Sequence, residues 1–349
     1  MTTSRHRGGE RPAGIRDVAR MAGVSVASAS FALNGQPGVA EDTRRRIVAA
    51  AEQLGYRANQ HAQALRRGRT SSYGIVVRNF ANPFFLEVLS GAEEVASDCG
   101  ATLLVLDSRY SPEHERKHVR EMAAQRLAGL AIAPVGAGEG IQLWRELRPD
   151  APVVALNTSG RKVKGVPRVC PDDVAAVELP MRRLAELGHT CIAFLAAPRQ
   201  LMADPDRLRC FRRVAAELGL RGMVMYSPLT LADVRAAAAA MLSRPDAPTA
   251  IITNSDYTAH AVYKAARELS LRIGPELSVV GHDDLATSEL LDPPLATIAL
   301  DGREMGRQLM LRLLGGDLTG DYVAPVRLVD RASLQAPESA GHPGIRDAG

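Results

Sequence analysis

Two short patterns in the sequence contain residue types that can do chemistry. The segment His114-Glu-Arg-Lys-His118 has the spacing of a zinc site, because on a helix it places two imidazoles on one face and a glutamate near a bound water. Arg116 and Lys117 add charge beside that face, the surrounding segment is strongly polar, and no third ligand follows at a convincing spacing. We therefore expect neither a metal site nor zinc-dependent hydrolysis here.

The second pattern is a glycine-rich stretch, Gly136-Ala-Gly-Glu-Gly140. It lacks the final spacing of a dinucleotide-binding fingerprint, so a loop is the simpler interpretation. Four cysteines, Cys99, Cys170, Cys191 and Cys210, are widely spaced and form no CxxC pair, which indicates reduced thiols rather than a disulfide framework or a zinc site. No nucleophile, base and orienting group stand together in a motif. The sequence therefore predicts no catalytic residues and no cofactor.

Length and composition define the class of protein that carries these patterns. The chain has 349 residues, of which 46% are hydrophobic and 23% charged, which excludes wholesale disorder and suggests two or three units. No stretch approaches the ~20 apolar residues of a membrane span. The basic segment 1–13 lacks the apolar part of a secretory signal, so we expect a cytoplasmic protein.

Charge is unevenly distributed along the chain. The formal net charge is +4, yet residues 1–70 hold twelve arginines against five acidic residues, whereas residues 71–349 hold 31 basic and 34 acidic residues. A basic segment ahead of a faintly acidic body is typical of a nucleic-acid-binding head on a separate domain. A solvated basic terminus would give the same balance, so the pattern within the head must distinguish the two.

The head has the pattern of three short helices. The first has one apolar face at helical spacing, formed by Ile15, Val18, Ala19 and Ala22. Gly23 ends that helix, Ser25 can cap a second helix over Val26–Leu33, and a third helix is predicted over Glu41–Leu54. A helix, a short turn and a second helix form the helix-turn-helix arrangement, although a generic three-helix bundle has the same spacing.

Strands alternate with helices from Ser72 onward. One series runs from the predicted strand Gly74–Val77 to the strand Pro152–Leu156, and a second runs from the helix Asp173–Leu187 to the strand Ser278–Gly281. Such alternation is typical of α/β folds with parallel doubly wound sheets, whose ligands bind beyond the carboxyl ends of the strands. Two series predict a body of two lobes with a ligand cleft between them.

Several motifs resemble the lactose/galactose repressor (LacI/GalR) family of bacterial transcription factors, and they are spaced as in that family over residues 14–335. The matching motifs are Ile15-Arg-Asp-Val-Ala-Arg-Met-Ala-Gly-Val-Ser25, Leu33-Asn-Gly35, Leu54-Gly-Tyr56, Asn82-Pro-Phe-Phe85, Leu187-Gly-His189, Val279-Val-Gly-His-Asp-Asp284 and Asp292-Pro-Pro-Leu295. The resemblance implies a helix-turn-helix head over 14–58, a hinge over 59–71 and a periplasmic-binding-protein-like body over 72–335. Segments 1–13 and 336–349 are then expected to be disordered tails.

The resemblance also implies which residues contact double-stranded operator DNA. The base-reading positions are Val26 and Ala27 at the start of the second helix and Phe31 one turn later. The positions that match phosphate contacts are Ser25, Ser28, Asn34, Thr43 and Arg44. The hinge contributes Asn59, Leu65 and Arg66, and Leu65 matches a leucine that wedges into the central minor groove. Because these three base-reading side chains are apolar, they suit contacts with thymine methyl groups. The alternative for Phe31 is that it packs in the core of the head.

Seven further positions match residues that hold the small-molecule effector in the family. They are Phe84, Phe85, Asn157, Arg207, Ser255, Asp256 and Asp283. Arg207 and Asp283 pair a charged donor with an acceptor, which suits a hydroxyl-rich molecule such as a sugar. The alternatives are a helix cap for Asp256 and an internal salt bridge for Arg207.

The leading interpretation is a sequence-specific DNA-binding transcription regulator, usually a repressor, controlled by a small-molecule effector. One short recognition helix covers few base pairs, so we expect a homodimer on a pseudo-palindromic operator. A solute-binding protein or an enzyme are the alternatives. The first would need an export signal and no head, and the second would need a catalytic set that the sequence does not display.

Overall fold

The computed structural model describes residues 14–33, 38–54, 71–158, 163–198, 200–201, 205–315 and 320–338. These divide into a unit within residues 1–70, the head, and a unit from Ser71 onward, the body. The predicted tail 1–13 and nearly all of the predicted hinge lie outside the described residues. The body extends past the predicted boundary at residue 335, because the N–H of Glu338 donates to the carbonyl of Pro275 (2.9 Å) and its carboxylate pairs with Arg272.

Three helices form the head, as predicted: α1 (Ile15–Ala22), α2 (Val26–Leu33) and α3 (Glu41–Gln53). Gly23 ends α1 in the left-handed conformation, at φ 66°, which costs glycine nothing. The hydroxyl of Ser25 then accepts a hydrogen bond from the N–H of Ser28 (3.0 Å) and caps α2. The buried core is small and rich in alanine; it comprises Val18, Ala19, Ala22, Ala29, Ala32, Ile47, Ala50 and Ala51.

Two arginines on α3 fix the other two helices of the head. Arg44 donates from Nη1 to the carbonyl of Ala32 (2.9 Å), near the end of α2. Arg46 donates from Nη2 to the carbonyl of Ala22 (2.7 Å), the last residue of α1. The last carbonyls of a helix have no hydrogen-bond partner within it, so a guanidinium there can donate to them. Its positive charge also interacts favourably with the negative end of the helix dipole. The helix-turn-helix therefore depends on α3 for polar contacts as well as for its core.

The body consists of two lobes, each built on one sheet. The neighbouring strands of the first sheet are all parallel, and the second sheet is parallel except for one antiparallel edge strand. Among the described residues the first sheet has the order β11-β5-β4-β3-β1-β2, with strands β1 (Ser72–Val77), β2 (Thr102–Asp107), β3 (Leu130–Ile132), β4 (Val153–Leu156), β5 (Arg168–Pro171) and β11 (Tyr322–Ala324). The second has the order β12-β10-β9-β8-β6-β7, with strands β6 (Cys191–Ala196), β7 (Arg221–Tyr226), β8 (Ala250–Ile252), β9 (Ser278–Asp283), β10 (Ala296–Ala299) and the antiparallel β12 (Arg327–Val329).

Helices cover the sheets of both lobes. The first lobe has α4 (Phe84–Asp98), α5 (Pro112–Ala124), α6 (Glu139–Leu147) and α11 (Gly302–Leu313). The second lobe has α7 (Asp173–Glu186), α8 (Pro205–Glu217), α9 (Leu231–Leu242), α10 (Asp256–Glu268) and the short 3-10 helix Ala286–Leu290. No helix in the described part of the chain is long and apolar enough to cross a membrane. The predicted alternation is confirmed, whereas α6, β5 and the elements after β9 were not predicted.

Helices α4 and α11 of the first lobe pack together through glycines. A methyl group on Gly91 would overlap the carbonyl oxygen of Arg303, and one on Gly306 would overlap the carbonyl oxygen of Val88. The two backbones are therefore closer than any side chain would allow. This contact joins a helix from the start of the body to one from its end.

We expect Gly91→Ala and Gly306→Ala to lower the free energy of unfolding by about 1–3 kcal/mol each, because the added methyl group must push the helices apart. In an unhindered helix the same change would raise stability by about 1 kcal/mol. Urea unfolding of the full chain measures the difference. Gly320→Ala is the control, since no atom of a described residue outside its immediate neighbours lies within 4 Å of its new methyl group. Unchanged stability in both helical variants would contradict the close packing.

Candidate functional site

Helix α2 presents the residues predicted to read DNA bases, two of them at its start and Phe31 one turn later. Phe31 is 46% exposed and Val26 is 38% exposed, and Ala27 is exposed as well. Since the core of the head is formed by other residues, the alternative in which Phe31 packs there is wrong. The hydroxyls of Ser25 and Ser28 lie 2.9 Å apart at the same end of the helix. This surface is apolar at its centre and hydroxyl-bearing at its edge.

The remaining predicted DNA contacts divide into two groups. Thr43 and Arg44 lie half-buried on α3, and the guanidinium of Arg44 holds α2 as described above. Arg44 therefore has a positioning role in the head that the sequence did not indicate. Four predicted contacts lie outside the described residues: Asn34, Asn59, Leu65 and Arg66.

In the second lobe, Arg207 on α8 is the centre of a buried polar group. Its Nε donates to Asp173 Oδ1 at 2.5 Å, its Nη1 donates to the carbonyl of Asn254 at 3.4 Å, and its Nη2 lies 3.2 Å from His282 Nε2. The internal salt bridge that was the alternative for Arg207 is thus present. Both side chains of this Arg207–Asp173 pair are more than nine-tenths buried. These contacts hold the guanidinium in one orientation.

Asp283 ends β9 and lies beside this group. Its Oδ1 is 3.0 Å from His282 Nδ1, whereas its buried Oδ2 has no hydrogen-bond partner among the described residues. Burial raises the pKa of Asp283 well above its ordinary value, as does the charge of Asp256, while Arg207 and the side chain of Asn82 act in the opposite direction. The backbone is strained as well, at φ 121°. A buried, unpartnered carboxyl oxygen on a strained residue is a typical mark of a binding site.

Ser255 and Asp256 are engaged within their own lobe. The Ser255 hydroxyl caps α10 by accepting from the N–H of Thr258 (3.2 Å), so the predicted helix cap is Ser255 rather than Asp256. Asp256 is fully buried, and burial raises its pKa against the effect of its hydrogen-bond donors. Those donors are the backbone N–H of Leu285 (2.9 Å) and the hydroxyls of Ser288 (2.6 Å) and Thr297 (2.6 Å). Asp256 therefore shapes the segment after Asp283.

The first lobe contributes Phe84, Phe85 and Asn157. Both phenylalanines are buried in the core of this lobe, with ring centroids 5.4 Å apart in an edge-to-face arrangement. Their predicted role as effector contacts is therefore not evident, because helix α4 turns both rings inward. Asn157 follows β4 at a positive φ of 46°, and its carbonyl accepts from Arg78 Nη2 at 2.7 Å.

Two residues that follow the first two strands of the first lobe, Arg78 and Tyr110, were missed from the sequence. Arg78 is buried directly after β1, and the N–H of Tyr110 donates to its carbonyl at 3.0 Å. Burial raises the pKa of the Tyr110 hydroxyl, and the carboxylates of Asp283 and Asp107 raise it further while Arg78 lowers it. The charge of Asp283 in the second lobe thus acts on Tyr110 in the first. The only sequence signal was an arginine at the end of an apolar strand.

The HExxH segment has a structural role on α5. Glu115 is buried and accepts hydrogen bonds from the N–H groups of Val135 (2.6 Å) and Gly140 (3.1 Å), so it holds the loop that precedes α6. His114 is exposed, and the two imidazole centroids are 6.4 Å apart. The N–H of Gly136, within this loop, donates to the carbonyl of Leu201 in the second lobe (3.2 Å). Glu115 therefore supports a contact between the lobes.

Glu115 should make stability depend on pH. Burial raises its pKa from 4.5 to about 7, although the two amide donors and Arg78 act in the opposite direction. Between pH 4.5 and about pH 7 the unfolded chain has lost a proton that the folded chain retains. The free energy of unfolding therefore falls by up to about 1.4 kcal/mol for each pH unit as pH rises through this range. Urea unfolding at a series of pH values should show this loss, and Glu115→Gln should reduce the slope.

The exposed Glu113 on the same helix provides the control. Glu113→Gln should keep the slope of the unsubstituted protein, because its carboxylate remains in water in both states. Equal slopes for Glu115→Gln and the unsubstituted protein would show that Glu115 does not carry the dependence.

Comparisons with known proteins agree with this arrangement. Residues 14–59 match the family described as "Bacterial regulatory proteins, lacI family", and residues 70–322 match "Periplasmic binding proteins and sugar binding domain of LacI family". The chain belongs to the LacI family. It is a DNA-binding transcription regulator with a helix-turn-helix head and a body of the effector-binding type, and the alternative interpretation as an enzyme is set aside.

Individual relatives cover nearly the whole chain. The regulator MalR of Streptomyces coelicolor is 30% identical over 346 residues, 94% of this chain and 99% of that protein. The regulator DegA of Bacillus subtilis is 28% identical over 298 residues, 84% of this chain and 88% of that protein. Among solved structures, the lac repressor dimer bound to operator and the anti-inducer ONPF is 27% identical, with a TM-score of 0.82 over 93% of this chain and all of that chain.

A complex of the transcriptional regulator CelR with cellobiose is similar as well. It is 26% identical, with a TM-score of 0.68 over 92% of this chain and 99% of that chain. The similarity therefore includes both a DNA-bound and a sugar-bound relative.

Proposed function

We propose that this protein is a homodimeric, cytoplasmic repressor that binds a pseudo-palindromic operator and releases or retains it according to a polyhydroxylated small molecule bound between its lobes. Two relatives support the proposal: the lac repressor, solved as a dimer on operator DNA, and CelR, solved with cellobiose. A dimer places two recognition helices in successive major grooves, which gives a site long enough for specificity.

The observation that carries the effector proposal is the free oxygen of Asp283. An unpartnered buried oxygen costs the protein about 1–3 kcal/mol, and a ligand that donates a hydrogen bond to it recovers that cost. Asn82 of the first lobe lowers the pKa of Asp283, and the charge of Asp283 raises the pKa of Tyr110 in the first lobe, so we expect a ligand at this carboxyl group to contact both lobes. A ligand that binds the closed arrangement more tightly than the open one shifts the equilibrium between them.

The head favours an operator read through few base hydrogen bonds. Val26, Ala27 and Phe31 offer only apolar contacts, which suit thymine methyl groups. Ser25, Ser28 and Thr43, together with Asn34, Asn59 and Arg66, then supply phosphate and sugar contacts that set the register. Leu65 from each hinge inserts at the central step, so the deformability of that step adds to specificity.

We expect Phe31→Ala to relax the preference at one symmetric pair of operator positions, at a cost of roughly 1–3 kcal/mol per site. Selection of DNA from a random pool by the full chain measures the preference before and after the change. Val48→Ala on α3 is the matched control, because Val48 is an exposed apolar residue of the head outside the reading positions. If both variants select the same sequences as the unsubstituted protein, Phe31 does not read DNA.

We expect Asp283→Asn to abolish the response to effector, because the amide places a donor where a ligand hydroxyl needs an acceptor. The test measures how neutral mono- and disaccharides, cellobiose included, change the affinity of the full chain for the selected operator. The variant should bind operator without responding to any sugar that acts on the unsubstituted protein. Asp98→Asn, at the exposed end of α4, should respond normally. A full response from Asp283→Asn would place the effector elsewhere.

A further inference from the structure

His282 is a buried residue that the effector site as described so far does not use. It lies on β9, is 5% exposed, and stands between two predicted effector residues, Arg207 and Asp283. Its Nε2 is 3.2 Å from Arg207 Nη2, and its Nδ1 is 3.0 Å from Asp283 Oδ1. One imidazole therefore contacts both groups at once.

The contact with Arg207 determines where the imidazole carries its proton. A guanidinium has only N–H donors, so Nε2 of His282 must accept, and the ring holds its single proton on Nδ1. Nδ1–H then donates to Asp283 Oδ1. A doubly protonated ring would set two donors against each other at Nε2. Burial and the charge of Arg207 both lower the pKa of His282 well below its ordinary value, which keeps the ring neutral.

The result is a directed chain of four side chains. Asp173 holds Arg207 at Nε, Arg207 donates to His282, and His282 donates to Oδ1 of Asp283. Among the buried side-chain nitrogen and oxygen atoms of the described residues, only Oδ2 of Asp283 has no hydrogen-bond partner. A ligand that reaches this oxygen in its carboxylate form must bring a donor, and a negatively charged group would meet another acceptor.

We propose that His282 is a positioning residue of the effector site: it orders Arg207 and Asp283 so that Oδ2 alone faces the effector, which is recognised there through a donated hydroxyl rather than an acidic group. This proposal rests on the proposed function for the identity of the site. The position of the proton on His282 does not rest on the proposed function, because the ring has the same contacts in the protein without ligand.

The first test therefore uses the full chain without ligand. Long-range ¹H–¹⁵N spectra of the histidine rings separate the two neutral tautomers from the imidazolium form. The signal of His282 is identified as the one lost in His282→Phe. We expect the neutral form with the proton on Nδ1 at pH 7. A proton on Nε2, or a charged ring, would overturn the positioning role.

The second test measures ligand binding by calorimetry. The probes are neutral sugars paired with their acids: glucose with gluconate and glucuronate, and cellobiose with cellobionate. We expect a neutral sugar to bind at least tenfold more tightly than its acid. His282→Phe should weaken that binding at least tenfold, and His282→Gln, whose amide carries an acceptor and a donor, should recover part of the loss. His114→Phe, at an exposed position, is the control.

The outcomes separate this proposal from the proposed function. If His282→Phe and His282→Gln weaken sugar binding equally and lower the melting temperature equally, the role of His282 is structural and the proposal is wrong. Tighter binding of an acid overturns the choice of ligand group. If no neutral sugar or acid binds the unsubstituted protein, the proposed effector class fails, and the tautomer measurement still decides the role of His282.

Discussion

The edge of the second lobe at which β9 ends depends on the buried carboxylate of Asp256. This carboxylate lies at the start of α10 and accepts hydrogen bonds from three residues, Leu285, Ser288 and Thr297, which belong to the segment after β9 and to β10. Because an ionised carboxylate is costly to bury, these donors and the positive end of the helix are needed together. One side chain thus fixes α10, the 3-10 helix and β10 in a single arrangement.

This constraint reaches the neighbouring strand. A methyl group on Gly281 would overlap Asp256 Oδ1, so β9 can pass the carboxylate only where it has no side chain. Two residues later Asp283 and Asp284 adopt positive φ values of 121° and 58°. Strain of this kind persists only where the surroundings are fixed, and here Arg331 holds Asp284 at 2.8 Å while Asp256 holds the turn. The free oxygen of Asp283 is a consequence of that rigidity.

Much of the fold could be predicted from periodicity and turn residues, because they act locally. Helix α2 has the predicted bounds, and the alternation of strands and helices predicted the two sheets. Helix α6 was missed because Gly136 and Gly138 suggest a loop, although its Trp144 is fully buried. The direction of a side chain was harder to predict. Residue type alone could not show that Phe84 and Asp256 turn inward, or that Arg78 reaches Asn157, since tertiary packing decides these directions.

The path of the chain between the lobes is very short at each crossing. One residue separates β5 from α7, two separate β10 from α11, and two separate β11 from β12. Helix α11 nevertheless completes the core of the first lobe with Met305, Leu309, Met310 and Leu313. During synthesis the first lobe therefore cannot close its core until the ribosome has released residues 302–324, by which time most of the second lobe already exists. The two lobes must mature as one folding unit, and the final seventh of the polypeptide decides when that happens.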